Sequence, residues 1–271
     1  MTHSSFSSKL RLSLRLLAAG LFLLPIIWMV AAALRPSGSP LSQSIQLIPT
    51  GITLQNFSRV WQLVPLGRYT LNSILVVAIA VPLTLVTSSW AGFSISQLSR
   101  ASQRRWIVLS LAVLMVPGVA LWSTRFLIYK MLGWYNTIWA LIAPAWMGTS
   151  PFYVLMFYRA FRRIPRETYE SARLDGAGVL QIWRRIALPI ARPTAIGVAL
   201  LSFILYWGDF ISPLLYLRSE KRYTLPVGLQ LLQQMGRSDW PLLMAAAVIA
   251  TAVPIVLFLL VQPYFARVDD A

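Results

Sequence analysis

Residues 69–99 read YTLNSILVVAIAVPLTLVTSSWAGFSISQLS, thirty-one positions without one Asp, Glu, Lys or Arg. A helix needs about 20 apolar residues to cross roughly 30 Å of hydrocarbon, so this stretch is long enough to span a bilayer. It lacks the apolar–polar alternation of a barrel strand, and in lipid only a helix satisfies its own backbone polar groups within a single segment. Five further intervals meet the same test: residues 16–34, 106–124, 131–158, 193–217 with Asp209 as its one charge, and 240–266. The expected fold is therefore all-α, a polytopic membrane protein with six transmembrane helices.

Composition agrees. The chain is 57% apolar and only 12% charged, with a formal net charge of +16, whereas soluble domains carry about 25% charged residues. With no cysteine, a disulfide framework, a thiolate metal site and a cysteine nucleophile are excluded. The excess of base does not imply nucleic acid, because the arginines sit between uncharged runs; membrane phospholipid and the positive-inside rule account for them. With a cytoplasmic amino terminus, one side holds Lys9, Arg11, Arg15, Arg100, Arg104, Arg105, Arg267 and the eight arginines of residues 159–192. The other holds nine basic residues, Arg237 among them. The bias places both termini in the cytoplasm. Residues 1–15 read as a cytoplasmic leader and 16–271 as one transmembrane domain. Ala31-Ala32-Ala33 imitates a signal-peptide cleavage site, but the apolar run before it exceeds the 7–15 residues of a signal core, so it is expected to stay as an anchor.

Residues 35–68 form an external loop, with turn signals at Pro36-Ser37-Gly38-Ser39-Pro40 and Pro49-Thr50-Gly51 and a short helix near 54–63. The densest charge lies at 159–192, where Arg159, Arg162, Arg163, Arg166, Arg173, Arg184, Arg185 and Arg192 fall. Pro165 suits a first helical position, and Glu167 and Glu170 favour the early turns of a helix. Gly176-Ala177-Gly178 breaks that helix. A second follows, with an apolar stripe of Val179, Ile182, Ile186 and Ile190 opposite Gln181, Arg184 and Arg185. Pro189 and Pro193 should end it and bias Leu188 toward an extended conformation. Such an elbow could simply lie on lipid phosphate. Against that, Glu167, Glu170 and Asp175 are packed into nine residues, and mixed charge around small side chains suits a protein partner.

Here the chain resembles the membrane-spanning permease subunits of bacterial ATP-binding-cassette (ABC) importers, within them the MalG-like branch of the maltose-type sugar permeases. The family's loop signature is Glu-Ala-Ala, three residues, Gly, nine residues, Ile, one residue, Leu-Pro. Glu170, Ala172, Gly176, Ile186, Leu188 and Pro189 stand at those spacings, with Ser171 in place of the middle Ala. The likeness extends over about 55–265 through Asn56-Phe57, Tyr69 with Asn72-Ser73, Met115-Val116-Pro117, Leu132 to Thr137, Pro151-Phe152, Trp207-Gly208-Asp209-Phe210 and Pro213-Leu214. It implies a non-catalytic permease in the bacterial inner membrane. Its implied partners are a second homologous, MalF-like permease subunit, two cytoplasmic ATP-binding-cassette ATPase subunits and an extracytoplasmic solute-binding protein. In agreement, the chain has no Gly-x-x-x-x-Gly-Lys-Ser/Thr phosphate loop. The resemblance implies an ATPase-coupling loop in which Glu170, with Ser171 beside it, makes polar contact with the ATPase, and Ala172 and Gly176 allow close approach and the bend. Asp175 would cap or contact, and Ile186, Leu188 and Pro189 would fix the elbow to the fifth span.

A solute pathway is harder to read. Asp209 is the one carboxylate well inside a span, a costly position that suggests a pore or subunit contact. Tyr206 and Trp207 beside it could stack on a sugar ring. His3 lies alone in a polar leader, and no His and carboxylate cluster has metal-ligand spacing, so neither metal nor cofactor is expected. The tail from Gln262 to Ala271 is short, leaving a tail contact with the ATPase in doubt. A polyol or glycerophosphate importer is the alternative reading. A self-energised carrier would need midplane carboxylates in both halves, and Asp209 has no counterpart.

Overall fold

The computed structural model describes residues 3–38, 51–235 and 239–266, and among these every regular element is helical. In chain order they are α1 (His3–Ala33), α2 (Gln55–Leu63), α3 (Leu66–Gln97), α4 (Arg100–Leu114), α5 (Trp122–Met131), α6 (Trp139–Trp146) and α7 (Pro151–Arg162). Then come α8 (Arg166–Leu174), α9 (Val179–Ile190), α10 (Arg192–Trp207), α11 (Ile211–Tyr216), α12 (Leu225–Met235) and α13 (Trp240–Ala266). Four stretches are long and apolar enough to span: Ser13–Ala33, Leu66–Gln97, Trp139–Arg162 and Trp240–Leu260. Among the described residues the number rises to six if each of two bent pairs is one span, Arg100–Leu114 with Gly118–Met131 at 88°, and Val179–Ile190 with Arg192–Trp207 at 82°.

The spans differ from expectation where the backbone breaks. The third interval, 106–124, is not one straight helix: α4 stops at Met115, and Pro117, which has no N–H and disfavours helix before it, begins a new direction. The fourth starts at Trp139 rather than Met131, because Gly133 and Asn136 hold φ of 70° and 57° in a tight turn. That span is itself interrupted at Gly148 and Thr149, at φ 73° and 61°. The fifth ends at Trp207, and a separate short helix, α11, begins at Ile211. The short helix expected near 54–63 is present as α2. Ser39, Pro40, Pro49, Thr50, Arg237, Arg267 and the last residues of the tail lie outside the described residues.

The chain divides into two compact units, residues 1–67 with 228–259, and residues 68–227 with 260–271. In the first, the buried Asn56 of α2 donates from Nδ2 to the carbonyls of Ala33 (2.8 Å) and Arg35 (2.7 Å), tying α2 to the end of α1. Asp239, just before α13, accepts from the Gly38 N–H (3.3 Å), from Ser37 and from the Arg59 guanidinium at 3.1 Å. Asp239 lies outside the membrane-spanning segments. Burial raises its pKa, but the Ser37 hydroxyl, the backbone N–H groups of Gly38 and Leu242, and Arg59 together hold it below the ordinary carboxylate value.

The second unit carries the aromatic core. Gly92 of α3 lies against α7 so closely that an added Cβ would stand 2.8 Å from Phe157 Cβ, the Tyr158 nitrogen and the Val154 carbonyl oxygen. Only a residue without Cβ permits that approach. Gln103 of α4 is buried between the same helices, donating from Nε2 to the carbonyls of Ser96 and Leu98 and accepting from the Tyr158 hydroxyl at 3.1 Å.

Candidate functional site

The elbow is α8, the turn 175–178, and α9, and its position is set by what lies beneath. Pro165 flanks α8 as its N-cap, with ψ of 142°, one position ahead of the expected first helical place. The same missing N–H explains both positions, since neither uses it. Glu167 occupies the first turn, where a carboxylate meets the positive helix end. The helix closes at Asp175, and Gly176 turns the chain at φ 79°, a conformation costing about 1–2 kcal/mol with a side chain. Nothing lies within 4 Å of the Cβ position of Gly176 or Gly178. The Gly178 N–H then donates to Gln181 Oε1 at 3.0 Å, starting α9.

α9 runs through Pro189 without ending there. Residues 183–187 form a π turn in which the Leu188 N–H donates to the Trp183 carbonyl. Proline has no N–H for the Arg185 carbonyl and its ring would crowd that oxygen, so the widened turn relieves the conflict. Leu188 is accordingly helical, at φ −64° and ψ −43°, not extended. The bend comes at Ala191 instead.

That extra residue also rotates the buried face. Ile182 is 2% exposed, but Val179 and Ile190 of the expected stripe are 61% and 55% exposed. Trp183 and Ala187 take the inward positions. They join Phe93 of α3, Phe157 and Phe161 of α7, Tyr169 and Ala172 of α8, and Val198 of α10 in one cluster. Phe93 meets Phe161 edge-on at 5.7 Å and Tyr169 at 6.1 Å, while Trp90 meets Trp183 edge-on at 5.2 Å. Edge-on ring pairs of this kind contribute about 0.5–1.5 kcal/mol each through their geometry. Tyr169 donates to the Phe161 carbonyl at 3.2 Å, and burial pushes its pKa up to about 12, so the hydroxyl stays protonated.

The residues singled out from the loop thus separate into a root and a tip. Ala172 is buried in the cluster, so its small size serves the packing of α8 on α3 and α7 rather than an open surface. Ile186 and Leu188 pack half-buried against the same core, while Pro189 is exposed. Glu170, Ser171, Asp175 and Gly176 are exposed, beside an apolar tip of Leu174, Val179 and Leu180. Leu174 is 89% exposed. Reading the loop for charge and small residues missed this greasy tip, although Leu174 and Val179-Leu180 flank the glycines in plain view. Arg173 reaches back from α8 to Gln97 Oε1 at 2.9 Å.

The three pathway candidates sit elsewhere in the same unit, two of them buried and Asp209 half-buried. Tyr206 is buried, its hydroxyl bonded to Thr149 Oγ1 (2.8 Å), which bonds Thr84 Oγ1 (2.5 Å). Trp207 is buried and stacked on Phe203 at 5.7 Å. Asp209 accepts from the Ser212 N–H at 3.0 Å, capping α11 where the fifth span breaks. The open space lies beside them: a cavity of about 790 Å³ lined by Arg125, Tyr129, Trp134, Trp139, Trp146 and Thr149 with apolar neighbours. Trp139 and Trp146 stand seven apart on one face of α6, but Trp134 lies before the helix, so no single period joins the three in the sequence. Among the described residues no group of His, Cys, Asp and Glu could hold a metal.

Residues 4–268 match the family model described as "Binding-protein-dependent transport system inner membrane component". A probable ABC transporter permease, YurM of Bacillus subtilis, is 32% identical over 90% of this chain and 80% of its own length. The trehalose/maltose permease MalG of Thermococcus litoralis is 30% identical over 92% and 90%, and the arabinooligosaccharide permease AraQ of Halalkalibacterium halodurans 30% over 89% and 87%. In fold, the chain is similar to a chain of a bacterial ABC transporter that imports alginate, at a TM-score of 0.73, 20% identity and 98% coverage of both. The chain belongs to the family of inner-membrane components of binding-protein-dependent transport systems.

Proposed function

We propose that this chain is one of two permease subunits of an ABC importer for a sugar or oligosaccharide, and that its elbow is where a separate ATPase drives it. The observation that carries the reading is the division of the elbow. Its tip, with Leu174, Val179 and Leu180 around two glycines, has open space around it, while its root is locked into the aromatic cluster of α3, α7 and α10. A partner gripping the tip moves the root, and a packed core passes the movement on as a shift between discrete arrangements.

In this reading the elbow and both termini are cytoplasmic, as the positive-inside count favours. Two ATPase subunits supply hydrolysis, since the chain has no phosphate loop of its own. Glu170 and Asp175 make polar contacts with the ATPase, Gly176 makes the bend, and Leu188 and Pro189 carry the elbow into α10. A homologous second permease completes the translocation path, and an external binding protein delivers solute. Relatives named for trehalose/maltose, arabinooligosaccharides and trehalose support a carbohydrate cargo. The aromatic walls of the 790 Å³ cavity suit the apolar faces of sugar rings better than the buried Tyr206 and Trp207 do.

Reconstituted with its ATPase, partner permease and loaded binding protein, the chain should support sugar uptake that needs ATP and persists when the proton gradient is collapsed. Uptake by the chain without any ATPase subunit would refute the proposal.

A further inference from the structure

The fourth span breaks at two consecutive residues with left-handed backbone, Gly148 at φ 73° and Thr149 at φ 61°. The first has a local cause. The Gly148 N–H donates to the Ala145 carbonyl at 3.1 Å and the Thr149 N–H to the Pro144 carbonyl at 2.8 Å, the pair of bonds with which a helix commonly closes on a left-handed glycine. That closure asks for one left-handed residue, not two. Thr149 is β-branched, and for such a side chain a positive φ is an outlier that persists only where the surroundings hold it. Its hydroxyl is the group held: Oγ1 lies 2.5 Å from Thr84 Oγ1 of α3 and 2.8 Å from the Tyr206 hydroxyl of α10. Thr84 and Tyr206 are both buried, so water is no ready substitute for either bond.

We propose that Thr149 is a positioning residue for transport, and that its bond to Tyr206 passes movement of α10 to the wall of the 790 Å³ cavity. This rests on the reading above, in which a separate ATPase drives the elbow. α10 leaves the elbow at the 82° bend, and Tyr206 stands fourteen residues beyond Arg192, about 21 Å along the helix. The hydroxyl is thus near the far end of the lever. On the other side of the bond, Thr149 joins α6, which gives the cavity Trp139 and Trp146, to α7, which gives it Pro151, and Thr149 itself lines the same space. A shift of α10 that parts Tyr206 from Thr149 removes one of the two bonds holding the strained residue. The joint then resets to a second arrangement, carrying the end of α6 with it, since packed elements move between discrete states. Thr87 of α3 makes a neighbouring bond, donating to the Ala145 carbonyl at 2.7 Å, but it ties α6 to α3 and takes no part in this route.

The test measures a distance across the cavity in the full transporter, with ATPase, partner permease and binding protein present. Spin labels go on cysteines at Met147, exposed just after α6, and at exposed Lys130 of α5, and their separation is read without nucleotide and with ATP plus vanadate. The otherwise wild-type chain should show a nucleotide-driven change in separation. Tyr206→Phe and Thr149→Val, which each remove one hydroxyl and keep the shape of the side chain, should lose that change while the ATPase stays bound and hydrolyses ATP. Thr149→Ser, which keeps the hydroxyl, should retain it. The double variant Tyr206→Phe/Thr149→Val should read the same as either single variant, because both remove one shared bond. Thr87→Val, which cuts the neighbouring bond, should retain the change, whereas a merely structural role for these hydroxyls would make it fail with the others. A retained change in Tyr206→Phe or Thr149→Val, a lost one in Thr149→Ser or Thr87→Val, or no change in the wild-type chain with a hydrolysing ATPase bound would each overturn the assignment. Dissociation of the ATPase from Tyr206→Phe would overturn it too, by showing that the hydroxyl holds the fold instead. An ATPase missing from the wild-type sample would refute the importer reading itself, so the two failures are told apart.

Discussion

Two mid-helix glycines, Gly92 of α3 and Gly197 of α10, should respond to the same substitution with opposite signs. Helix propensity alone says that Gly→Ala stabilises either site by about 0.5–1 kcal/mol. At Gly197 the new methyl meets only Met156 Cε at 3.8 Å, an ordinary contact with a flexible side-chain end. Its propensity gain should survive. At Gly92 the methyl would lie 2.8 Å from two backbone atoms and one Cβ of α7. Contact begins near 3.4 Å, so α3 and α7 must separate by roughly half an ångström, prising apart Phe93 and Phe161 just above the elbow. Overpacking of this kind costs about 1–3 kcal/mol, and because propensity cancels between the pair, the difference in stability isolates that cost. Denaturant or thermal unfolding of the purified complex measures it. Gly92→Ala should unfold earlier than wild type and lose transport, while Gly197→Ala should match or exceed wild type. Equal stability of the two variants would refute the close approach of α3 and α7, and with it the rigid footing of the elbow.

Other outcomes follow from single contacts. Asn136, at φ 57°, accepts the N–H groups of Arg218 and Ser219 at 3.0 Å each; Asn136→Ala should cost about 1–3 kcal/mol and open residues 217–223 to protease, and unchanged cleavage would count against the clamp. Because Asp239 has a depressed pKa, its contribution is complete above the ordinary carboxylate value of 3.8 and fades only as pH falls below it. Stability should therefore stay level from pH 7 to pH 5 in wild type, with Asp239→Asn already weakened at pH 7; a wild-type loss near pH 6 would contradict the assignment. At Gly176, Asn tolerates the left-handed backbone better than Ala, so if the glycine serves the turn alone, Gly176→Asn should transport better than Gly176→Ala. If the ATPase excludes any side chain there, both should fail while the permease remains inserted.

Much of the fold was legible because charge is disfavoured over long stretches in lipid, and five uncharged intervals with a sixth broken only by Asp209 lead to an all-α membrane fold. The breaks were less legible. Pro117 stops one helix, while Pro25 and Pro82 sit inside others, so a proline alone does not say which outcome tertiary packing will choose. Pro189 shows a third outcome, absorption by a π turn, which shifted the buried face from Ile190 to Trp183 and Ala187. Several residues that carried the family resemblance prove to be backbone clamps: Asn72 donates to the Lys221 and Tyr223 carbonyls, and Ser73 accepts the Leu225 N–H. Their chemistry is visible in sequence, but their partners lie about 150 positions away. Gly92 gave no local signal, since its role is the nearness of another helix.

The absence of cysteine makes the central claim directly accessible. Single cysteines at Leu174, Val179 or Leu180, each exposed on the tip, can be crosslinked in intact membranes to the co-expressed ATPase. The account predicts a crosslink from the tip positions, none from a cysteine at exposed Leu63 of α2, and no labelling of the tip by a membrane-impermeant thiol reagent added outside. Labelling of the tip from outside the cell, or a tip that never crosslinks to the ATPase in an actively transporting complex, would contradict it.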